Sequence, residues 1–164
     1  MIRKKVCLLG AFGVGKTSLV RRFVSGIFSD KYLSTMGVKI DRKTVDADGR
    51  EVGLMIWDIH GEEAFRKIPM SYLRGASGLM MVVDGTRPET LDVAAGIVRR
   101  VDDELGLAAP RVWLANKRDL ADDWALPADA WARLAGDAPR FETSALSGEH
   151  VDEAFLALAR AMLA

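Results

Sequence analysis

An octet near the start of the chain, Gly10-Ala11-Phe12-Gly13-Val14-Gly15-Lys16-Thr17, matches the pattern G-x-x-x-x-G-K-[ST]. The apolar run Val6–Leu9 leads into it, and a stretch with Leu19, Val20, Phe23 and Val24 on one helical face leads out. The octet therefore joins a strand to a helix, the context in which this pattern holds phosphate. Its glycines let the backbone wrap tightly, so that the N–H groups of Gly13, Val14, Gly15 and their neighbours converge on phosphate oxygens. The helix that follows adds the positive end of its dipole, and Ser18 lies in its first turn. Lys16 reaches the terminal phosphates, and the Thr17 hydroxyl is placed to ligate Mg²⁺. Composition alone produces such a match in roughly 0.5% of chains this long.

The rest of the pattern agrees with a phosphate loop on an open sheet. Strand-like runs occur at Lys5–Leu9, Met36–Val45, Glu51–Asp58, Gly78–Val83, Arg111–Ala115 and, more weakly, Arg140–Glu142. Asp48-Gly49 between the second and third is a hairpin-turn dipeptide. Helical patterns fall at Lys16–Ser25, Glu62–Arg74, Pro88–Leu105, Ala128–Ala135 and Glu149–Leu163. Pro69 should distort the second of these, and Pro88 suits a first helical position. The expectation is an α/β protein of the P-loop NTPase fold. It has a six-stranded, mostly parallel sheet with one antiparallel pair, and about five helices on both faces. No repeat or linker interrupts the pattern, so residues 1–164 read as a single domain.

Several classes are excluded. With 23 Lys plus Arg against 23 Asp plus Glu, the net charge is zero, which gives no general attraction to nucleic acid. Cys7, the single cysteine, fits a reducing, cytoplasmic setting. No apolar run is long enough to span a bilayer.

Asn116-Lys117-Arg118-Asp119 follows directly on the strand-like run 111–115. Ligands bind at the carboxyl ends of strands in such sheets, which puts this tetrapeptide beside the phosphate loop. The Asp119 carboxylate can accept from N1–H and the exocyclic amine of guanine, whereas adenine would leave it unpaired, and sites of this kind reject the wrong ligand by about 10⁴–10⁵. Glu142-Thr143-Ser144-Ala145, with Leu146, completes the base pocket, where small side chains let the Ala145 N–H approach guanine O6. Ser147 doubles as a candidate helix cap. The ligand expected is GTP or GDP with Mg²⁺.

These motifs resemble the Ras superfamily of small GTPases, most of all its Rab branch. Phe28–Ile40 with Thr35-Met36-Gly37-Val38, Ile56-Trp57-Asp58-Ile59-His60-Gly61-Glu62-Glu63, Ser71–Gly78 and Glu142–Phe155 all take part. The resemblance runs from Lys5 to the last helix. It implies that Thr35 ligates Mg²⁺ and donates its N–H to the γ-phosphate, that Asp58 holds Mg²⁺ through a water, and that the Gly61 N–H meets the γ-phosphate. Phe28 would pack on the guanine edge, with Asp30 near the ribose. Segments 28–38 and 60–75 would be switches that recruit effector and regulatory proteins.

Three residues depart from the family pattern. Phe12 stands at a usually small position, His60 where Ala is usual, and Glu62 in place of the Gln that orients the attacking water. A Glu62 carboxylate about 5 Å from the γ-phosphate would be repelled by roughly 3 kcal/mol at an effective dielectric near 20. It could equally serve as a stronger base for the water, with His60 sharing the proton. The catalytic set expected is Lys16, Thr35, Gly61 and Glu62, with hydrolysis slow. The alternative is a GTP-holding module without meaningful hydrolysis. A P-loop kinase with Arg66 and Arg74 in a lid is disfavoured by the guanine-reading motif.

The remaining conspicuous residues have structural readings. Trp113, Met80 and Met81 are strand core, Trp124 and Trp131 local packing, and His150 and Arg21-Arg22 surface. Trp57 belongs either to the core or to an effector-facing surface. No cysteine follows Cys7 and the chain begins Met1-Ile2, so neither prenylation nor N-myristoylation is expected of it as given. A monomer is expected.

Overall fold

The computed structural model describes residues 1–26, 37–63 and 66–164. Six strands form one sheet: β1 (Ile2–Gly10), β2 (Val38–Ala47), β3 (Arg50–Ile59), β4 (Gly78–Asp84), β5 (Arg111–Asn116) and β6 (Arg140–Glu142). Their spatial order is β2-β3-β1-β4-β5-β6. Among the described strands only β2 and β3 pair antiparallel, with Ala47 opposite Arg50. Asp48 and Gly49 between them have φ of 55° and 87°, the two positive values that a two-residue turn matching strand twist requires.

The helices are α1 (Lys16–Ser25), α2 (Glu89–Arg100), α3 (Ala128–Ala135) and α4 (Val151–Leu163). Strand side chains alternate between faces, and each face finds its own pair of helices. Val6, Leu8, Met80, Val82, Val112 and Leu114 pack with Leu19 and Phe23 of α1 and Phe155 and Leu158 of α4. Cys7, Leu9, Leu79, Met81, Val83 and Trp113 face Leu91, Ala94 and Ile97 of α2 and Trp131 of α3. Every residue of β4 is buried, as a central parallel strand covered on both faces requires.

The strands and helices read from the sequence are present, with shifted ends. β1 begins earlier than Lys5, because Arg3 and Lys4 continue the pairing with Gly53 and Leu54. The helix after Pro88 is α2 proper up to Arg100; a wider, π-type turn at Val101–Leu105 then ends at Gly106 with φ 54°. The last helix starts at Val151, behind His150 in a left-handed conformation. Ser147 does not cap it, since its hydroxyl accepts from the Glu149 N–H instead.

The irregular, distorted helical segment expected over Glu62–Arg74 is further from a helix than its pattern suggests. Among its described residues only a 3₁₀ turn, Met70–Leu73, is helical. Pro69 is extended ahead of that turn, and a proline disfavours helix in the residue before it. The start of the segment is also committed elsewhere. Glu62 N–H donates to Gly10 O at 2.9 Å and Glu62 O accepts from Phe12 N–H at 3.0 Å, while Glu63 and Arg66 exchange both backbone bonds. Those groups cannot also serve a helical ladder.

Candidate functional site

The site lies along the carboxyl ends of β1, β3, β4 and β5. Between β1 and α1 the loop turns through Gly13 and Gly15, with φ of 78° and 99°. A side chain at Gly15 would stand 2.3 Å from Asn116 Nδ2, so close approach as well as backbone conformation requires glycine there. Three successive loop carbonyls are held from outside. Phe12 O accepts from Arg87 Nη2 at 2.9 Å, Gly13 O from Lys117 Nζ at 2.9 Å, and Val14 O from Asn116 Nδ2 at 3.0 Å.

Lys16 is buried at the start of α1, and its Nζ donates to Ala11 O at 3.3 Å. Burial lowers its pKa to about 8; Asp58 raises it in part and the Arg87 guanidinium lowers it further. A cation held in this way is relieved by an anion, which suits a phosphate. Thr17 Oγ1 donates to Asp58 Oδ2 at 2.6 Å. Burial raises the Asp58 pKa, against the opposing pull of the Thr17 bond and of Lys16. Two adjacent hard oxygens beside a phosphate site have the donor chemistry that Mg²⁺ prefers.

On the other side of the loop, Asn116 and Lys117 close β5. Thr143 Oγ1 donates to Asn116 Oδ1 at 3.2 Å, and Ser144 Oγ donates to Asp119 Oδ1 at 2.7 Å. Thr143, Ser144 and Ala145 are buried, whereas Asp119 and Leu146 are exposed. The Asp119 carboxylate is thus oriented from behind by Ser144. Trp124 packs beneath this loop, with the Arg118 guanidinium 5.0 Å from its ring centroid. Ser18 lies beside Thr17 in α1.

Gly61 and Glu62 run along the phosphate loop. A Cβ at Gly61 would lie 2.5 Å from Phe12 Cα and 2.8 Å from Ala11 O. The Phe12 and His60 rings are 5.8 Å apart, and His60 N–H donates to Gly37 O at 2.9 Å. The three departures from the family pattern are therefore neighbours. The Glu62 side chain, however, turns away from the loop. It is 6% exposed, ion-paired with Arg100 of α2, accepts from the Ile68 N–H at 3.3 Å and lies 3.7 Å from Lys67 Nζ.

Phe28, Asp30 and Thr35 fall outside the described residues, as does most of the expected switch 28–38. Sequence reading missed Asp84, Arg87 and Arg100. Asp84 was detectable as a carboxylate ending a wholly apolar strand; the two arginines carried no motif, because their partners are remote in sequence. Of the aromatic residues, Trp113 and Trp131 are core. Trp57 is half-buried with Lys5 Nζ 3.7 Å from its ring centroid.

Comparison with known proteins places this geometry. The Ras family profile matches residues 5–164. The chain belongs to the Ras family. Its relatives are Rab-like: human Ras-related protein Rab-8B is 37% identical over 158 residues, covering 95% of this chain and 76% of the relative. Rab-10 of Caenorhabditis elegans is 37% identical over 162 residues, covering 98% and 81%. The GTP-binding protein yptV2 of Volvox carteri is 36% identical over 163 residues, covering 98% and 75%. This Ras family member is a small GTP-binding switch protein and a GTPase, with the six-stranded sheet described above. Proteins of its kind bind guanine nucleotide and act through effector and regulatory proteins. Among the described residues no helix is long and apolar enough to cross a membrane.

Proposed function

We propose that this GTPase hydrolyses GTP slowly, as a cytoplasmic, monomeric switch, because the residue at the water-orienting position is withheld from the nucleotide. The observation that carries this reading is the Glu62 carboxylate, buried against Arg100 and the Ile68 N–H. In this arrangement its negative charge is neutralised at a distance from the γ-phosphate. The roughly 3 kcal/mol repulsion expected of a carboxylate close to that phosphate does not arise, but neither does help to the attacking water.

Catalysis then rests on positioning and charge. The N–H groups of Gly13, Val14 and Gly15 and the Lys16 ammonium bind the phosphates. Thr17, Thr35 and Asp58 would hold Mg²⁺, which when bound would supply positive charge to offset that building on the phosphates. The Gly61 N–H would meet the γ-phosphate and draw the segment 60–75 toward the loop, a role supported by the close approach of Gly61 to Phe12. Asp119, oriented by Ser144, reads guanine with Ala145 and Leu146. Phe28 is assigned to the base edge and Asp30 to the ribose by the family pattern alone. The segments around 28–38 and 60–75 present the nucleotide state to effector and regulatory proteins.

A second reading, a module that holds GTP without hydrolysing it, draws support from the same buried Glu62. The experiment that tests both is to purify the protein, denature it and resolve the released nucleotide by ion-exchange chromatography. GDP, or a mixture rich in GDP, is expected. GTP alone favours the holding module, and adenine nucleotide contradicts the reading of Asp119.

A further inference from the structure

Arg87 belongs to no motif legible in the sequence, yet it reaches the phosphate loop from the turn after β4. Its Nε donates to Asp84 Oδ2 at 3.0 Å while its Nη2 donates to Phe12 O at 2.9 Å. The guanidinium lies along the loop: a Cβ at Gly13 would be 3.3 Å from Nη2. Asp84 is buried and also accepts from Lys117 Nζ at 2.8 Å and from the Thr86 N–H at 2.8 Å and its hydroxyl at 2.7 Å. The backbone is fixed as well, since Arg87 N–H donates to Asp84 O at 3.0 Å. One carboxylate thus holds two cations, and each cation holds one loop carbonyl.

A trans peptide is planar, with its C=O and N–H pointing in opposite directions. Holding the Phe12 carbonyl outward therefore turns the Gly13 N–H to the inner side of the loop. Lys117 does the same to the Val14 N–H through Gly13 O, and Asn116 to the Gly15 N–H through Val14 O. Three consecutive inward N–H groups make an anion-binding nest. Asn116 and Lys117 come with the guanine-reading motif; the first of the three braces is supplied by Arg87.

We infer that Arg87 is a positioning residue for the phosphates of the bound nucleotide, acting through the Phe12 carbonyl on the orientation of the Gly13 N–H. The inference rests on the reading of the loop as the phosphate site. Its two bonds, one to a carboxylate and one to a carbonyl, come from two separate nitrogens of the guanidinium fork, whereas a lysine at this place would have to meet both partners from one nitrogen.

The test compares wild type, Arg87→Ala and Arg87→Lys for GDP and GMP by competition against a fluorescent guanine nucleotide, with GMP titrated to millimolar concentration. Hydrogen bonds from a charged group contribute about 1.5–3 kcal/mol, so Arg87→Ala should weaken GDP by about tenfold to a hundredfold. GMP, which lacks the outer phosphates, should change less than threefold, and Arg87→Lys should fall between wild type and Arg87→Ala for GDP. Equal losses for GDP and GMP, or GDP affinity unchanged in Arg87→Ala, would overturn the inference. Failure of the wild type itself to prefer GDP over ADP would instead overturn the reading of the site.

Discussion

Lys16 carries its charge where water barely reaches, and in the unliganded fold that is costly. Its pKa falls from 10.5 to about 8, and at 1.36 kcal/mol per unit the penalty is about 3 kcal/mol at neutral pH. The folded value lies below the unfolded one, so between about pH 8 and 10.5 the unfolded chain holds more protons and unliganded stability rises with pH. Lys16→Met should therefore raise the unliganded melting temperature at pH 7 and remove that rise, while losing most nucleotide affinity. Denaturation of both proteins across this pH range checks it. Cys7 offers a second residue-scale expectation. It is fully buried in β1 and burial pushes its thiol up to about 12, so a thiol reagent at pH 8 should label it only as the chain unfolds.

At the scale of elements, the covering helices are held by aromatic contacts that the phosphate chemistry does not touch. Phe23 of α1 and Phe155 of α4 stack with ring centroids 3.9 Å apart and planes 2° apart. Phe155→Ala should cost about 3–5 kcal/mol in urea denaturation, with GDP binding by the folded fraction within threefold of wild type. The elements themselves were largely legible, because period-2 and period-3.6 patterns report burial directly. The hairpin turn, α3 and β6 stand where their residues placed them. The irregularity of segment 62–74 was legible from Pro69, but its extended start was not, because that backbone is decided by a remote partner: Glu62 pairs with Gly10 and Phe12, a contact with no local signature. For the same reason the octet and the Asn116–Asp119 tetrapeptide could be read, while Arg87 and Arg100, which meet residues 75 and 38 positions away, could not.

For the whole molecule, the parallel sheet brings the loop after β1, the Gly61–Glu62 strip after β3, the Asp84–Arg87 turn after β4 and the base-reading loop after β5 to one edge. Nucleotide state can therefore bias several surface segments at once, while both hydrophobic layers stay packed behind them. Glu62 belongs to this scale because its partner is on α2, and the ion pair ties the strip beside the phosphate loop to a covering helix. The measurement that bears most directly on this account is single-turnover conversion of bound GTP to GDP, with Mg²⁺, by wild type and Glu62→Ala. A carboxylate kept by Arg100 takes no part in the chemistry, so both proteins should hydrolyse GTP faster than buffer alone, with rates within about threefold of each other. General acid–base groups typically contribute about 10²–10⁴. A wild-type rate equal to that of buffer, or a change of tenfold or more on removing Glu62, would contradict it.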